Sequence, residues 1–391
     1  MQTITTTEDL AAFCERAAKH AYVTVDTEFL RERTYYSKLC LIQLAHPGED
    51  GPDGGEGSAV LVDPLAGDGL DLAPLYTLFR DPGVVKVFHA ARQDLEIFQV
   101  EAGLIPAPLF DTQVAAMVCG FGEQAGYETL ARKIAKAEID KSSRFTDWSR
   151  RPLSEAQKAY ALADVTHLRV IYEWLAAQLK KSGRARWVAE EMAVLNDPST
   201  YRVDPAEAWQ RVKTRSNSPK FIAALRELAQ FREAYAQERD VPRSRVFKDD
   251  ALVELASTRP ASEKDLGRSR LLLREARKGE IADGILAAIE RASNLPADKM
   301  PKAEKPRDQL QVNPALADLL RVLLKARSEA EGVAPKLIAS SAELDALAAG
   351  EREVHALYGW RREVFGEQAL ALCEGRVALA AKGAQVVTVD L

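Results

Sequence analysis

The sequence predicts an α/β sheet domain followed by an all-α region, on three observations. Before Trp187, apolar runs of strand length alternate with stretches of helical spacing. After it, no strand-like run occurs until Gln385-Val386-Val387-Thr388. That second part also repeats its own plan: a helix, a Val-Pro turn, a helix, a loop and further helices. At 391 residues, with 47% hydrophobic and 28% charged side chains, the chain has material for several cores. The expected boundaries are a sheet domain over 1–195, a first helical domain over 203–295 and a second over 309–391.

In order, residues 10–18 read as a helix and 22–29 as a strand, Tyr-Val-Thr-Val-Asp-Thr-Glu-Phe. Residues two apart on a strand share a face, so Asp26 and Glu28 stand side by side. Such a pair repels unless it is protonated or bridged by a cation. Alone, it reads first as a strand running out into a solvated acidic turn. Further strands are expected over 38–45 and 59–64. The glycine-rich loop between them lacks Gly-Lys-Ser/Thr and carries acids, so it is a hairpin loop and not a phosphate cradle.

A helix over 70–79 precedes the β-branched run 84–88, which leads into His-Ala-Ala-Arg-Gln-Asp-Leu-Glu-Ile-Phe. Asp94 therefore falls in the first turn or two of a helix that starts where a strand ends, a place where sheet proteins assemble sites. Asp111 reads as an N-cap. A short helix over 128–135 gives way to a polar loop, 136–152, whose cations, Phe145 and Trp148 could stack a base or simply cross the surface. Ser154 caps a long helix running to about 179, in which Tyr160 and Asp164, four apart, share a face. Residues 196–200 form a linker.

In the helical region, 220–240 is one amphipathic helix, followed by the turn Val241-Pro242 and a helix over 251–256. The counterpart is a helix over 314–332 and the turn Val333-Ala334-Pro335, with 297–308 as connector. Net charge is −5, yet residues 202–248 hold eleven basic side chains against six acidic ones. Clustered cations of this kind suit a phosphate backbone, or a solvated helical face.

Nothing near the start resembles a cleaved leader, and no run approaches membrane-spanning length; no membrane partner and a cytoplasmic address follow by elimination. Cys14, Cys40, Cys119 and Cys373 are scattered and read as core thiols of a reducing compartment. Of the histidines, His89 reads as a structural or substrate-side residue before a metal ligand. His20, His46 and His355 show no partner by spacing.

Together Val-Asp-Thr-Glu-Phe, His-Ala-Ala-Arg-Gln-Asp-Leu-Glu-Ile-Phe, Asp-Trp-Ser-Arg-Arg-Pro-Leu and Tyr-Ala-Leu-Ala-Asp-Val-Thr-His-Leu closely resemble the four-acid (DEDD-type) 3′→5′ exonuclease family. The branch is the one with a tyrosine four residues before the last aspartate. The tandem modules look like the helicase-and-RNase-D C-terminal (HRDC) type, and the whole chain is similar to the ribonuclease D family. The resemblance implies a ribonuclease-H-like mixed sheet flanked by helices, followed by two small helical domains. It implies 3′→5′ trimming of RNA with a free 3′ end, tRNA precursors above all, by a monomer.

On this reading Asp26, Glu28, Asp94 and Asp164 ligate two divalent ions, Mg²⁺ or Mn²⁺, which suit carboxylate oxygens. Asp26 bridges, Glu28 and Asp164 serve the ion holding the attacking water, and Asp94 serves the second, directly or through water. Tyr160 orients that water by hydrogen bonding. The second module departs from the pattern at Ala334 and is less basic, which weakens its case for RNA. The rivals are a DNA exonuclease on the same scaffold and an RNA-binding protein with an idle nuclease fold. An acid-rich phosphatase lacks its second aspartate and lysine.

Overall fold

A computed structural model of the chain describes residues 2–48, 51–52, 54–67, 69–144, 146–214, 216, 218–296, 298–301 and 311–391. Phe145, Arg215 and most of the connector 297–308 lie outside these residues, as does the side chain of Lys141. The chain forms two compact units, one of 1–28, 39–200 and 307–391 and the other of 29–38 and 201–306.

The first unit is built on a six-stranded mixed sheet. Its elements run β1 (Gln2–Ile4), α1 (Thr7–Ala17), β2 (Tyr22–Leu30), β3 (Lys38–Ala45), β4 (Ala59–Val62), α2 (Ala73–Arg80), β5 (Val85–Phe88), α3 (Arg92–Ala102), β6 (Leu109–Asp111) and α4 (Thr112–Val118). The sheet order is β1-β4-β3-β2-β5-β6. β2 lies parallel to β5, with Tyr22 opposite Val85 and Thr24 opposite Val87. β5 lies parallel to β6, and β3 antiparallel to β4. Val23, Val25, Leu41, Ile42, Val60, Leu61 and Val87 are fully buried, as near-continuous apolar strands covered by helices must be.

Helix starts depart from the apolar pattern in both directions: α2 starts at Ala73, later than expected, and α1 starts earlier because a cap sets its end. Thr6 caps α1 through the amide of Asp9, three residues before the expected start. The expected helix over 128–135 is α5 (Tyr127–Leu130), continued as a π-helical turn through Ala135. Ser154 and Gln157 form a capping box on α6 (Glu155–Ser182), which is followed by α7 (Ala185–Asn196). Among the described residues no helix is long and apolar enough to cross a membrane.

The loop over 136–152 is held by Arg151, which grips Asp63 with two nitrogens at 2.6 and 2.5 Å and reaches the carbonyls of Cys40 and Trp148. Trp148 is 3% exposed and its ring lies 6.1 Å from that of Tyr160. It is a core residue in this structure and offers no free face for a base.

The helical unit carries α8 (Pro219–Glu238), α9 (Arg243–Val246), α10 (Asp249–Thr258), α11 (Glu263–Leu266) and α12 (Gly279–Ser293) around Leu225, Leu228, Phe247, Leu252 and Ile285. The later helices are α13 (Pro314–Glu331), α14 (Pro335–Ile338), α15 (Ser341–Ala348), α16 (Gly359–Arg361) and α17 (Glu367–Cys373), and they belong to the first unit. There Trp360 stacks on Trp187 at 4.8 Å and its indole N–H donates to Glu191, which also pairs with Arg361. Arg184 bonds Glu331, and the amide of Ala334 donates to the carbonyl of Met117. A strand the sequence did not announce, β7 (Val377–Lys382), pairs antiparallel with β8 (Gln385–Asp390). Its Val-Ala-Leu-Ala-Ala run carries helix formers, and the turn at Gly383, with φ +63, folds it back on its β-branched partner.

Candidate active site

Strand alternation and helix periodicity each supply two groups to one cleft. Asp26 and Glu28 project from the end of β2, and Tyr160 and Asp164 from successive turns of α6. What joins strand to helix is Thr24, two residues before Asp26: its buried hydroxyl lies 2.9 Å from the carbonyl of Val165 and 3.1 Å from that of Ala45. From the other side the Tyr127 hydroxyl donates to the carbonyl of Ala163 at 2.7 Å. Asp164 is thus clamped at both neighbours. Carboxylate oxygens of Asp26, Glu28 and Asp164 all lie within 4.8 Å of one another.

Asp94 stands apart from this trio. The Thr27 hydroxyl, between the two acids of β2, donates to the Asp94 carboxylate. Its position depends on the turn from β5 into α3, where Ala90 takes the left-handed φ of +57. Asp111 stabilises that turn, accepting the amides of Ala90 at 3.0 Å and Ala91 at 2.9 Å. It also caps α4 through Gln113, as its sequence position suggests. Thr24 and Tyr127 lie in none of the quoted motifs, and Thr27 lies in one without a role assigned to it. A polar residue inside an apolar strand is the one signal that could have found the two threonines.

Like charges held this closely and partly buried are costly. Burial, then Asp164, Asp94 and Glu28, holds the Asp26 carboxyl well above its ordinary range. Burial and the charges of Asp164 and Asp94 push Glu28 up to about 9. Asp94 rises to about 7 through burial, against the Thr27 hydrogen bond. Asp164 also rises to about 7 through burial, opposed by the Tyr160 hydrogen bond and by Arg144. Burial and the surrounding acids push the Tyr160 phenol further up, so it stays protonated and donates to Asp164.

The cleft has a volume of about 240 Å³ and is lined by Asp26, Asp164, Tyr160, His89, Tyr127 and Arg144, among others. His89 lies outside the acid trio: its Nδ1 is 3.0 Å from the Thr112 hydroxyl and its ring meets Tyr127 edge-on. His20 and His46, distant in sequence, stack on each other at 4.4 Å. The donor set of the trio is carboxylate alone, which fits a hard divalent cation and no soft one. Crowded acids that would shed their mutual repulsion on binding such an ion make the fit electrostatic as well as chemical.

Comparison with known proteins agrees with this geometry. The family model for a 3′-5′ exonuclease matches residues 1–180, and that for an HRDC domain matches residues 222–289. Ribonuclease D of Jannaschia sp. (strain CCS1) is 63% identical over 389 residues, covering 100% of this chain and 99% of its own. Ribonuclease D of Granulibacter bethesdensis is 50% identical over 385 residues, 98% of this chain and 95% of its own. Among solved structures, RNase D of Escherichia coli, described as an exoribonuclease involved in structured RNA processing, superposes with a TM-score of 0.80 at 31% identity. That superposition covers 96% of this chain and 98% of the other.

Proposed function

This chain belongs to the ribonuclease D family and is a 3′→5′ exoribonuclease acting on RNA, and from that premise we propose how its acids work and which RNA they work on. Asp26, Glu28, Asp94 and Asp164 would hold two divalent ions, Mg²⁺ or Mn²⁺, with Asp26 contributing to both, Glu28 and Asp164 to the one that activates the attacking water, and Asp94 to the other, directly or through water. When bound, such ions supply a water of lowered pKa and relieve the charge that grows on the leaving 3′ oxygen. The observation that carries this reading is the convergence of three carboxylates from β2 and α6 within 4.8 Å.

Tyr160 keeps its proton and fixes the Asp164 carboxylate. With that carboxylate it forms the wall against which the nucleophilic water is oriented. Asp94, anchored by Thr27, keeps a fourth charge within electrostatic reach of Asp26 and Glu28. The products are nucleoside monophosphates.

We divide the chain functionally into a nuclease domain over 1–195, a first helical domain over 203–295 and a second over 309–391. All four acids fall in the nuclease domain, and the basic excess of 202–248 falls almost wholly in the first helical domain, where it suits a phosphate backbone. The substrates are tRNA precursors with unpaired 3′ ends, trimmed in the cytoplasm by a monomer.

The test is incubation of the full chain with 3′-labelled and 5′-labelled RNA and DNA, in Mg²⁺, Mn²⁺ or chelator. Metal-dependent release of mononucleotides from the 3′ end of RNA is expected, tRNA precursors being shortened ahead of mature tRNA. Equal degradation of DNA would favour the rival substrate. Cleavage that persists in chelator would refute the roles given to the acids.

A further inference from the structure

His89 opens the motif that delivers Asp94, and its ring lines the cleft beside Asp26, Tyr160 and Asp164. That ring is held in one tautomer. The Thr112 hydroxyl donates its single proton to the carbonyl of Phe88 at 3.0 Å, so toward His89 Nδ1, also 3.0 Å away, it can only accept. Nδ1 therefore carries the imidazole proton and Nε2 presents a lone pair. Burial keeps the ring below its ordinary pKa, against the charge of Asp111, which leaves it neutral near pH 7. Tyr127 meets it edge-on at 5.6 Å and fixes its plane.

A neutral acceptor in a cleft calls for a donor. The two phenols there have spent their protons, Tyr127 on the carbonyl of Ala163 and Tyr160 on Asp164. Among the described residues, Nδ1 is the nitrogen of this ring that has a hydrogen bond. An RNA 3′ end brings its own donors, and they are few. Its phosphates only accept. Base amino groups differ from base to base, so an acceptor aimed at them would favour some ends over others. The ribose hydroxyls are the donors that every RNA nucleotide carries, and the 2′ hydroxyl is the one that DNA lacks. The cleft, at about 240 Å³, is smaller than the roughly 300 Å³ at which sites for whole small molecules begin, which suits one sugar with its phosphate.

We propose that His89 is a specificity-determining residue: its Nε2 accepts a hydrogen bond from the 2′ hydroxyl of the 3′-terminal nucleotide, and Thr112 is the positioning residue that keeps Nε2 free of a proton. This rests on the reading of the cleft as the place where the 3′ end is cut. Selection of RNA over DNA then resides in the nuclease domain itself, at a side chain that leaves the acids to the metal ions.

The experiment measures kcat/KM for release of the last nucleotide from short RNAs that end in an ordinary, a 2′-deoxy, a 2′-fluoro or a 3′-deoxy nucleotide. The full chain is used as parent, His89→Phe, Thr112→Val and Asp26→Asn, and Mn²⁺ binding is followed by calorimetry without RNA. In the parent the 2′-deoxy end should react about tenfold more slowly than the ordinary one, and the 2′-fluoro end, which cannot donate, should lose as much. His89→Phe keeps a ring against Tyr127 and removes Nε2. It should lose about tenfold on the ordinary end and less than about twofold on the 2′-deoxy end, so that discrimination disappears while Mn²⁺ affinity stays within about twofold of the parent. Thr112→Val, which unlocks the tautomer, should show a smaller loss of discrimination, and it keeps the question answerable if His89→Phe fails to fold. Equal losses on the two ends, or discrimination retained without Nε2, would overturn the proposal. So would a variant that loses discrimination against the 3′-deoxy end alone, which would assign Nε2 to the 3′ hydroxyl. Undiminished release by Asp26→Asn would instead remove the reading of the cleft on which it rests.

Discussion

Glu233 and the trio of Asp26, Glu28 and Asp164 are both carboxylate sites withdrawn from water, and they differ in what stands beside the charge. Glu233, fully buried on α8, has the Tyr35 hydroxyl donating to it and the Arg243 guanidinium at 3.5 Å. The trio faces other acids, and its members are pushed toward their protonated forms. Each site has a tyrosine donor, Tyr35 in one and Tyr160 in the other. A buried charge that serves the fold brings its own counter-charge. Among the described residues the trio has only Arg144 in its cleft to set against three acids, and on the proposed reading a divalent cation from solution would relieve the remaining repulsion.

The contrast can be broken most sharply at Asp26. Asp26→Asn should lose about a thousandfold or more in turnover. In chelator the same variant should be as stable as the parent, or more so by about 1 kcal/mol, because repulsion is removed. Glu233→Ala should do the reverse, costing about 2–3 kcal/mol in denaturant unfolding by stranding its buried partners. If chelated Asp26→Asn were destabilised as much as Glu233→Ala, the distinction between the two sites would be lost.

The two tyrosines sharpen it further. Tyr160→Phe should lower kcat about tenfold to a hundredfold with Mn²⁺ affinity within about twofold of the parent, whereas Asp26→Asn should lose both. A matching loss of metal in Tyr160→Phe would make the tyrosine part of the ligand shell. The smallest effect is the pH dependence. Glu28 at about 9, and Asp94 and Asp164 at about 7, lie above their ordinary values, so the folded state binds protons more tightly than the unfolded chain. Stability in chelator should therefore fall as pH rises from about 5 to 9, lowering Tm by about 2–4 °C, and saturating Mg²⁺ should flatten the slope. A slope unaffected by Mg²⁺ would place its origin outside the acids.

The parts of this molecule governed by local rules were legible in the sequence. Alternation placed Asp26 and Glu28 on one face of β2, a strand end placed Asp94 near the start of α3, and a spacing of four paired Tyr160 with Asp164. Contacts closed by tertiary packing were not. Thr24 and Thr27 look like ordinary strand threonines until the carbonyl of Val165 and the carboxylate of Asp94 are brought to them. Trp148 reads as a surface aromatic because its neighbours are polar, yet Arg151 pulls its loop onto Asp63 and buries it. The destination of residues 29–38 had no local signature, since Glu233 and Asp240 lie about two hundred positions downstream.

The stacking of Trp187 on Trp360 carries a consequence for biosynthesis. The nuclease unit draws its material from 1–28, 39–200 and 307–391, so its early portion leaves the ribosome long before Trp360, Arg361 and Glu331 can join Trp187, Glu191 and Arg184. A nascent chain carries all four acids while one wall of their scaffold has yet to be translated. Maturation of the enzyme is thus tied to synthesis of its last helices, and a premature stop ahead of Trp360 would damage the nuclease unit itself and not a dispensable appendage.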